Sequence, residues 1–215
     1  MSDTTVIKSG VTLAVIGAIC TALVALTYQA TEQRIEDNEK AWLERSLQPA
    51  LSGVSYDSGI SDSKLTLPPP HGLPGAEEAL VYRIYAKGEP VAALFVVSAR
   101  DGYSGPIRLL VGIDTMSRIT GIHVLEHRET PGLGDGVETA KSDWARQFTG
   151  RSLLDPEPEG WQIRNDGGQF DQLTGASVTP RAIVKAVKET LLYFDLHREE
   201  VFATLPSQTG TTKGE

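Results

Sequence analysis

Residues 79–125 read ALVYRIYAKGEPVAALFVVSARDGYSGPIRLLVGIDTMSRITGIHVL, and their texture decides the fold. Four short runs rich in aliphatic and aromatic residues, 80–85, 91–98, 107–113 and 119–125, are separated by turn signals at Lys87-Gly88, Asp101-Gly102 and Met116-Ser117. Strands this short, joined by turns this tight, pair with their sequence neighbours, which predicts an antiparallel meander. The run 91–98 (VAALFVVS) is apolar almost throughout instead of alternating, so this strand is expected to be buried on both faces. Helical patterns flank the meander. The fold class expected is α+β, a small antiparallel sheet flanked by helices, with one N-terminal transmembrane helix.

Working upstream, residues 52–75 are rich in Ser, Gly, Asp and Pro, with Pro68-Pro69-Pro70 followed by His71-Gly72, and read as a linker or irregular surface excursion. Residues 31–47 lack Gly and Pro and place Ile35, Trp42, Leu43 and Leu47 at helical spacings among charges. Residues 11–28 (VTLAVIGAICTALVALTY) carry no charge, and at about 1.5 Å per residue they approach the ~30 Å hydrocarbon core of a bilayer. A cleaved signal peptide is the rival reading, but its apolar region usually spans only about 7–15 residues, so a retained anchor is expected. Lys8 stands on one side of this span and Arg34 and Lys40 on the other, so charge leaves its orientation open.

Downstream, residues 143–148 read as a short helix with Trp144 and Phe148 on one side, a spacing more often used for core packing than for stacking on a cofactor. Thr179-Pro180 reads as an N-cap followed by Pro at the first helical position, opening an amphipathic helix through Ile183, Val184, Val187, Leu191 and Leu192 to about Phe194. The expected divisions are a short N-terminal tail (1–10), a transmembrane helix (11–28), a juxtamembrane helix and irregular linker (29–78), the main folded domain (79–202) and a disordered tail (203–215).

Composition removes several function classes. The formal net charge of −8 and pI of about 5.1, with no basic stripe, disfavour a nucleic-acid partner. The single cysteine, Cys20, excludes an internal disulfide and an iron–sulfur cluster or zinc site ligated by cysteines of this chain alone, so redox chemistry would need an organic cofactor or a partner's centre. His123 and His127 sit about 13 Å apart on an extended chain, too far to share a metal, and are read as surface histidines; no metal site is expected. No Gly-x-Ser-x-Gly elbow or triad pattern suggests hydrolysis, and no catalytic residue is assigned.

The segment carrying chemistry is 171–180 (DQLTGASVTP), which runs into the start of the last helix. First-turn amides lack intrahelical partners and the helix dipole places partial positive charge there, so a phosphate is stabilised at such a point. Gly175 and Ala176 remove bulk on the approach to Ser177. Alone, this is weak evidence, and the plain reading is a small-residue turn before a capped helix. The string Asp-x-x-Thr-Gly-Ala-Ser-x-Thr resembles the flavinylation motif of the FMN-binding domain found in the G subunit of the Rnf electron transport complex and in the C subunit of the sodium-translocating NADH:quinone reductase. Two further segments, 102–107 (GYSGPI) and 129–134 (ETPGLG), also resemble that family, in the same order.

In that family a flavin transferase takes FMN from FAD and esterifies its phosphate to the hydroxyl that ends the Thr-Gly-Ala-Ser string, and the matching residue here is Ser177. The resemblance implies flavin contacts from Tyr103 and Ser104, from Glu129, Thr130, Pro131, Gly132, Leu133 and Gly134, and from Thr174, Gly175 and Ala176. It implies transferase recognition of Asp171, Thr174, Gly175 and Ala176. Departures are serine where threonine is the usual acceptor and Pro180 where a small hydroxyl residue is more usual. The function implied is covalent FMN carrying electrons among the other membrane and peripheral subunits of the Rnf complex, which couples ferredoxin and NAD redox chemistry to ion movement. The chain would be single-pass in the bacterial inner membrane, with its globular domain periplasmic, and not catalytic alone. The rival is a membrane-tethered binding or scaffold module that carries no flavin.

Overall fold

The computed structural model describes Lys8, Gly10 and residues 13–24, 45–57, 63–75 and 79–203. Contacts divide the chain into two units, Met1–Leu43 and Glu44–Glu215. In the first, helix α1 (13–24) exposes Leu13, Val15, Ile16, Ile19, Leu23 and Val24. Among the described residues no helix is long and apolar enough to cross a membrane, and both ends of the expected 11–28 span lie outside them. Of the helix expected over 31–47, residues 31–44 also lie outside, while 45–47 are helical; of the expected tail, only Ala203 is described.

The second unit is built on a five-stranded antiparallel sheet in sequence order: β1 (Lys64–Leu67), β2 (Ala79–Ala86), β3 (Glu89–Ala99), β4 (Ile107–Asp114) and β5 (Ile119–Glu126). Four strands match the runs expected as a meander. The β2–β3 turn places Lys87 (φ 53°) and Gly88 (φ +84°) in the left-handed region, which suits the right-handed twist of the flanking strands. β1 corrects the reading of 52–75 as linker or irregular chain. Its residues KLTL pair with β2 from Lys64↔Tyr82 to Leu67↔Ala79, and Leu65 and Leu67 pack against the core.

Adjacent rows of side chains across the sheet point to opposite faces. The row Val81–Phe95–Val111–Ile122 is buried on one face, where helix α2 (Val178–Phe202) brings Phe194 and Tyr193 to ring-centroid distances of 5.9 and 6.3 Å from Phe95. The next row, Tyr82–Leu94–Gly112–Gly121, faces the other way, where Leu47, Ala50 and Leu51 are buried and the Thr120 hydroxyl donates to the Ala50 carbonyl at 2.5 Å. On β3, residues 92–95 are buried in succession, in keeping with the unbroken apolar run, and α2 covers Phe95. Gly112 and Gly121 end that row because backbone lies directly on them: a Cβ at Gly121 would stand 2.7 Å from the Pro49 oxygen, and one at Gly112 would run into the Ala50 carbonyl. Gly112→Ala is therefore expected to destabilise the unit by roughly 1–3 kcal/mol. Urea unfolding measures this, and an unchanged midpoint would show that residues 48–51 are not seated on β4.

Between β5 and α2 the chain makes a long excursion of 3₁₀ turns, including Trp144–Phe148, where the short helix expected at 143–148 is of the 3₁₀ type. Its aromatic side chains form their own core: Phe148 lies 5.3 Å from Trp144 and stacks on Phe170 at 4.7 Å, and Trp161 follows at 4.9 Å from Phe170. α2 starts at Val178, one residue before the expected Thr179-Pro180 opening, and continues past Phe194 to Phe202 across a non-helical backbone at His197 (φ −119°).

Candidate functional site

Three loops meet at the end of the sheet where β3, β5 and α2 deliver them: the β3–β4 connection, the turn after β5 and the segment before α2. Their meeting point is the buried carboxylate of Glu129. Its Oε1 accepts the Ser104 amide at 3.1 Å and its Oε2 accepts the Thr179 hydroxyl at 2.5 Å, so one side chain joins GYSG, ETPGLG and the helix start. The two glycines beside it leave no room for a side chain. A Cβ on Gly134 would lie 2.8 Å from Glu129 Oε2 and 3.0 Å from Thr179 Oγ1, and one on Gly102 would lie 3.0 Å from Glu129 Oε1. Thr179 was expected as an N-cap; the structure turns its hydroxyl inward instead, where Glu129 Oε2 accepts it.

The 129–135 turn is closed on itself. The Leu133 and Gly134 amides both donate to the Thr130 carbonyl at 3.1 Å, and the Gly132 amide donates to Asp135 Oδ1 at 2.8 Å. Lys141 pairs with Asp135 at 2.9 Å and with Glu138 at 2.6 Å, and Glu138 also meets His127 at 2.8 Å. The hydrogen bond from Lys141, more than any other influence, holds both carboxyl groups below the usual carboxylate range. A carboxyl with a lowered folded-state pKa contributes stability above its unfolded value of about 4 and loses it as pH falls through the lowered folded value. Lys141→Met is expected to flatten the acid limb of the stability curve below about pH 4, wild type and variant converging as both carboxyls protonate. Urea unfolding at neutral and acid pH tests this, and an equal difference at both would contradict it.

The 171–177 segment is pinned at its base and open at its tip. Trp144 Nε1 donates to the Asp171 carbonyl and the Asp171 amide to Gln147 Oε1, both at 2.6 Å, while the exposed Asp171 carboxylate pairs with Arg164 at 3.0 Å. The Ala176 amide closes a turn on the Leu173 carbonyl at 3.0 Å. Gly175 adopts φ +78°, and a Cβ there would come within 3.2 Å of Leu133, which places the TGAS turn against the PGLG turn. Thr174 and Gly175 are exposed and Ser177 is half-buried. Ser177 occupies the N-cap position of a 25-residue helix, yet its hydroxyl makes no capping bond. The amides of Val178 and Thr179 find no backbone acceptor among the described residues. Leu133, 48% exposed, and Val178, 37% exposed, stand at this opening, and Tyr103, 73% exposed, lies in the loop whose Gly102 and Ser104 meet Glu129. A free hydroxyl, open first-turn amides and exposed apolar surface suit an aromatic ligand carrying a phosphate.

The segments expected at the site are therefore brought together, with Tyr103 and Pro131 exposed at its rim and Glu129 turned into the protein. His123 and His127 are not surface histidines as expected. Both are half-buried, bonded to Thr139 at 3.2 Å and Glu138 at 2.8 Å, and burial pushes the pKa of His123 down. The Asp135–Glu138–Lys141 network was missed, although its spacing of three residues was readable. The Glu129–Thr179 bond links residues 50 apart and left no local signal.

Comparison with known proteins gives matches over both parts of the chain. Residues 102–192 match the FMN-binding domain family, and residues 1–49 match the RnfG N-terminal region. Two similar proteins are each named as the G subunit of an ion-translocating oxidoreductase complex. That of Pseudomonas aeruginosa (strain UCBPP-PA14) is 43% identical over 199 residues, 92% of each chain. That of Shewanella oneidensis is 41% identical over 198 residues, 92% of this chain and 93% of the other. Among solved structures, the crystal structure of Shewanella oneidensis NqrC aligns with a TM-score of 0.44 and 19% identity, covering 69% of this chain and 76% of that one.

Proposed function

The chain belongs to the family formed by the G subunit of ion-translocating oxidoreductase complexes, and from that premise we propose that it is a membrane-anchored subunit that carries electrons on FMN linked by a phosphoester to Ser177. The observation that carries this reading is the state of Ser177: at the N-terminus of a long helix, its hydroxyl is not spent on capping and the amides beyond it are open. When bound, the flavin supplies the reversible redox chemistry. The chain holds it. Ser177 carries the covalent link, the Val178 and Thr179 amides with the helix dipole hold the phosphate, and Gly175, in its left-handed turn, keeps a side chain out of the approach. Tyr103, Leu133 and Val178 would supply exposed apolar surface for the flavin ring. Thr130, Pro131 and Gly132 shape the neighbouring wall. The exposed tip, with Asp171, Thr174, Gly175 and Ala176, is the part a flavin transferase would read.

The apolar stretch 11–28 is the proposed membrane anchor, with the unit that contains the site on the periplasmic side of a bacterial inner membrane. Covalent attachment by the phosphate keeps the cofactor on the protein in a compartment without free FMN. The other subunits of the complex are the electron donor and acceptor, and the redox couple proposed for the whole is ferredoxin and NAD. The test is a redox titration of the full-length chain, purified in detergent after coexpression with a flavin transferase. A visible flavin band that bleaches on reduction and returns on oxidation is expected; a colourless chain, with the transferase active on a control substrate, would favour the scaffold reading.

A further inference from the structure

Glu129 stands at the centre of the site, yet it has nothing to offer a ligand. The residue is only 5% exposed, and each carboxylate oxygen is taken by the protein, Oε1 by the Ser104 amide and Oε2 by the Thr179 hydroxyl. Its own amide donates to His127 Nδ1 at 3.1 Å, and Gly102 and Gly134 close over the carboxylate where any side chain would collide with it. A threonine in the first turn of a helix ordinarily turns its hydroxyl onto nearby backbone. Thr179 is drawn into the core instead, two residues from a serine whose hydroxyl is free.

We infer that Glu129 is a positioning residue: a buried carboxylate clasp that fixes Thr179, and through it the first turn of α2, so that the Ser177 hydroxyl and the open amides face an incoming flavin phosphate. The inference rests on the reading that Ser177 is the attachment point. In the transfer, Ser177 Oγ bonds to the phosphorus of the FMN half of FAD, the P–O bond to AMP breaks, AMP leaves with that electron pair, and the hydroxyl proton passes to the transferase or solvent. Glu129 takes no proton and touches no flavin. What the clasp requires is shape and hydrogen bonding rather than charge: a glutamine can accept the Ser104 amide through its oxygen and donate its NH₂ to Thr179 Oγ1.

The test is the rate of flavin transfer from FAD to the full-length chain in detergent by purified flavin transferase, read as fluorescence of the denatured band at several acceptor concentrations. Glu129→Gln is expected to keep kcat within about threefold of wild type with an unshifted pH profile, whereas Glu129→Leu lowers kcat more than about tenfold with an unchanged KM for the acceptor chain. Thr179→Val should fall similarly, Thr179→Ser should recover, and Glu129→Leu/Thr179→Val should be no worse than the poorer single variant. If Glu129→Leu fails to fold, the contrast between Thr179→Val and Thr179→Ser decides. A Glu129→Gln rate as low as that of Glu129→Leu, additive losses in the double variant, or a Thr179→Val rate equal to wild type would overturn the clasp. An unlabelled wild type beside a labelled control substrate would overturn the Ser177 reading, and this inference with it.

Discussion

Ser177→Ala is expected to abolish covalent flavin completely while leaving the fold intact. The hydroxyl is the only group at that position able to form the phosphoester. Replacing a serine N-cap by alanine usually costs about 0.5–2 kcal/mol because a capping bond is lost. Here no such bond exists, so the change in stability should stay within about 0.5 kcal/mol, typical of a substitution that removes no interaction. Ser177→Thr keeps the hydroxyl and should keep the flavin. In-gel fluorescence of the denatured variants reads the flavin outcomes directly, urea unfolding reads the stability, and a fluorescent Ser177→Ala band would place the attachment elsewhere.

The largest loss of stability is expected from Phe148→Ala, about 3–5 kcal/mol. Phe148 is fully buried between Trp144 and Phe170, whose rings are themselves held in the same cluster. The damage should also reach the site. Trp144, which packs edge-on against Phe148, holds the Asp171 carbonyl at 2.6 Å, so loosening the cluster releases the base of the segment that presents Ser177. Flavin attachment is expected to fall together with the urea midpoint. Leu154→Ala, at a side chain 87% exposed on the same excursion, should change neither. A loss below about 1 kcal/mol for Phe148→Ala would contradict the view that this aromatic cluster is a core in its own right.

The parts of the fold legible in the sequence are those written in local chemistry. The Lys87-Gly88 turn demands left-handed backbone, and the unbroken apolar run of β3 announces burial on both faces. β1 escaped notice because four residues among Ser, Gly and Pro carry too little periodicity, and it exists only because Ala79-Leu80-Val81-Tyr82 offers an edge to pair with. The cover over Gly112 and Gly121 was equally silent, since the two glycines read as weak strand positions until the chain at Pro49-Ala50 is laid on them. α2 runs on past Phe194 because Val201 is buried and Phe202 packs against the core, edge-on to Phe194 at 6.0 Å, beyond a charged stretch that resembles a helix end. At the site, the three motifs were readable one by one. Their junction was not: Thr179 matched the pattern of an N-cap, and only the tertiary fold supplies the buried carboxylate that competes for its hydroxyl.

The most direct measurement is the intact mass of the full-length chain after coexpression with a flavin transferase, followed by fragmentation of the peptide that contains residues 171–181. The expected result is the mass of one added FMN moiety, retained after denaturation and located on Ser177. An unmodified chain, with the transferase active on a control substrate, or an FMN moiety located on any other residue, would contradict it.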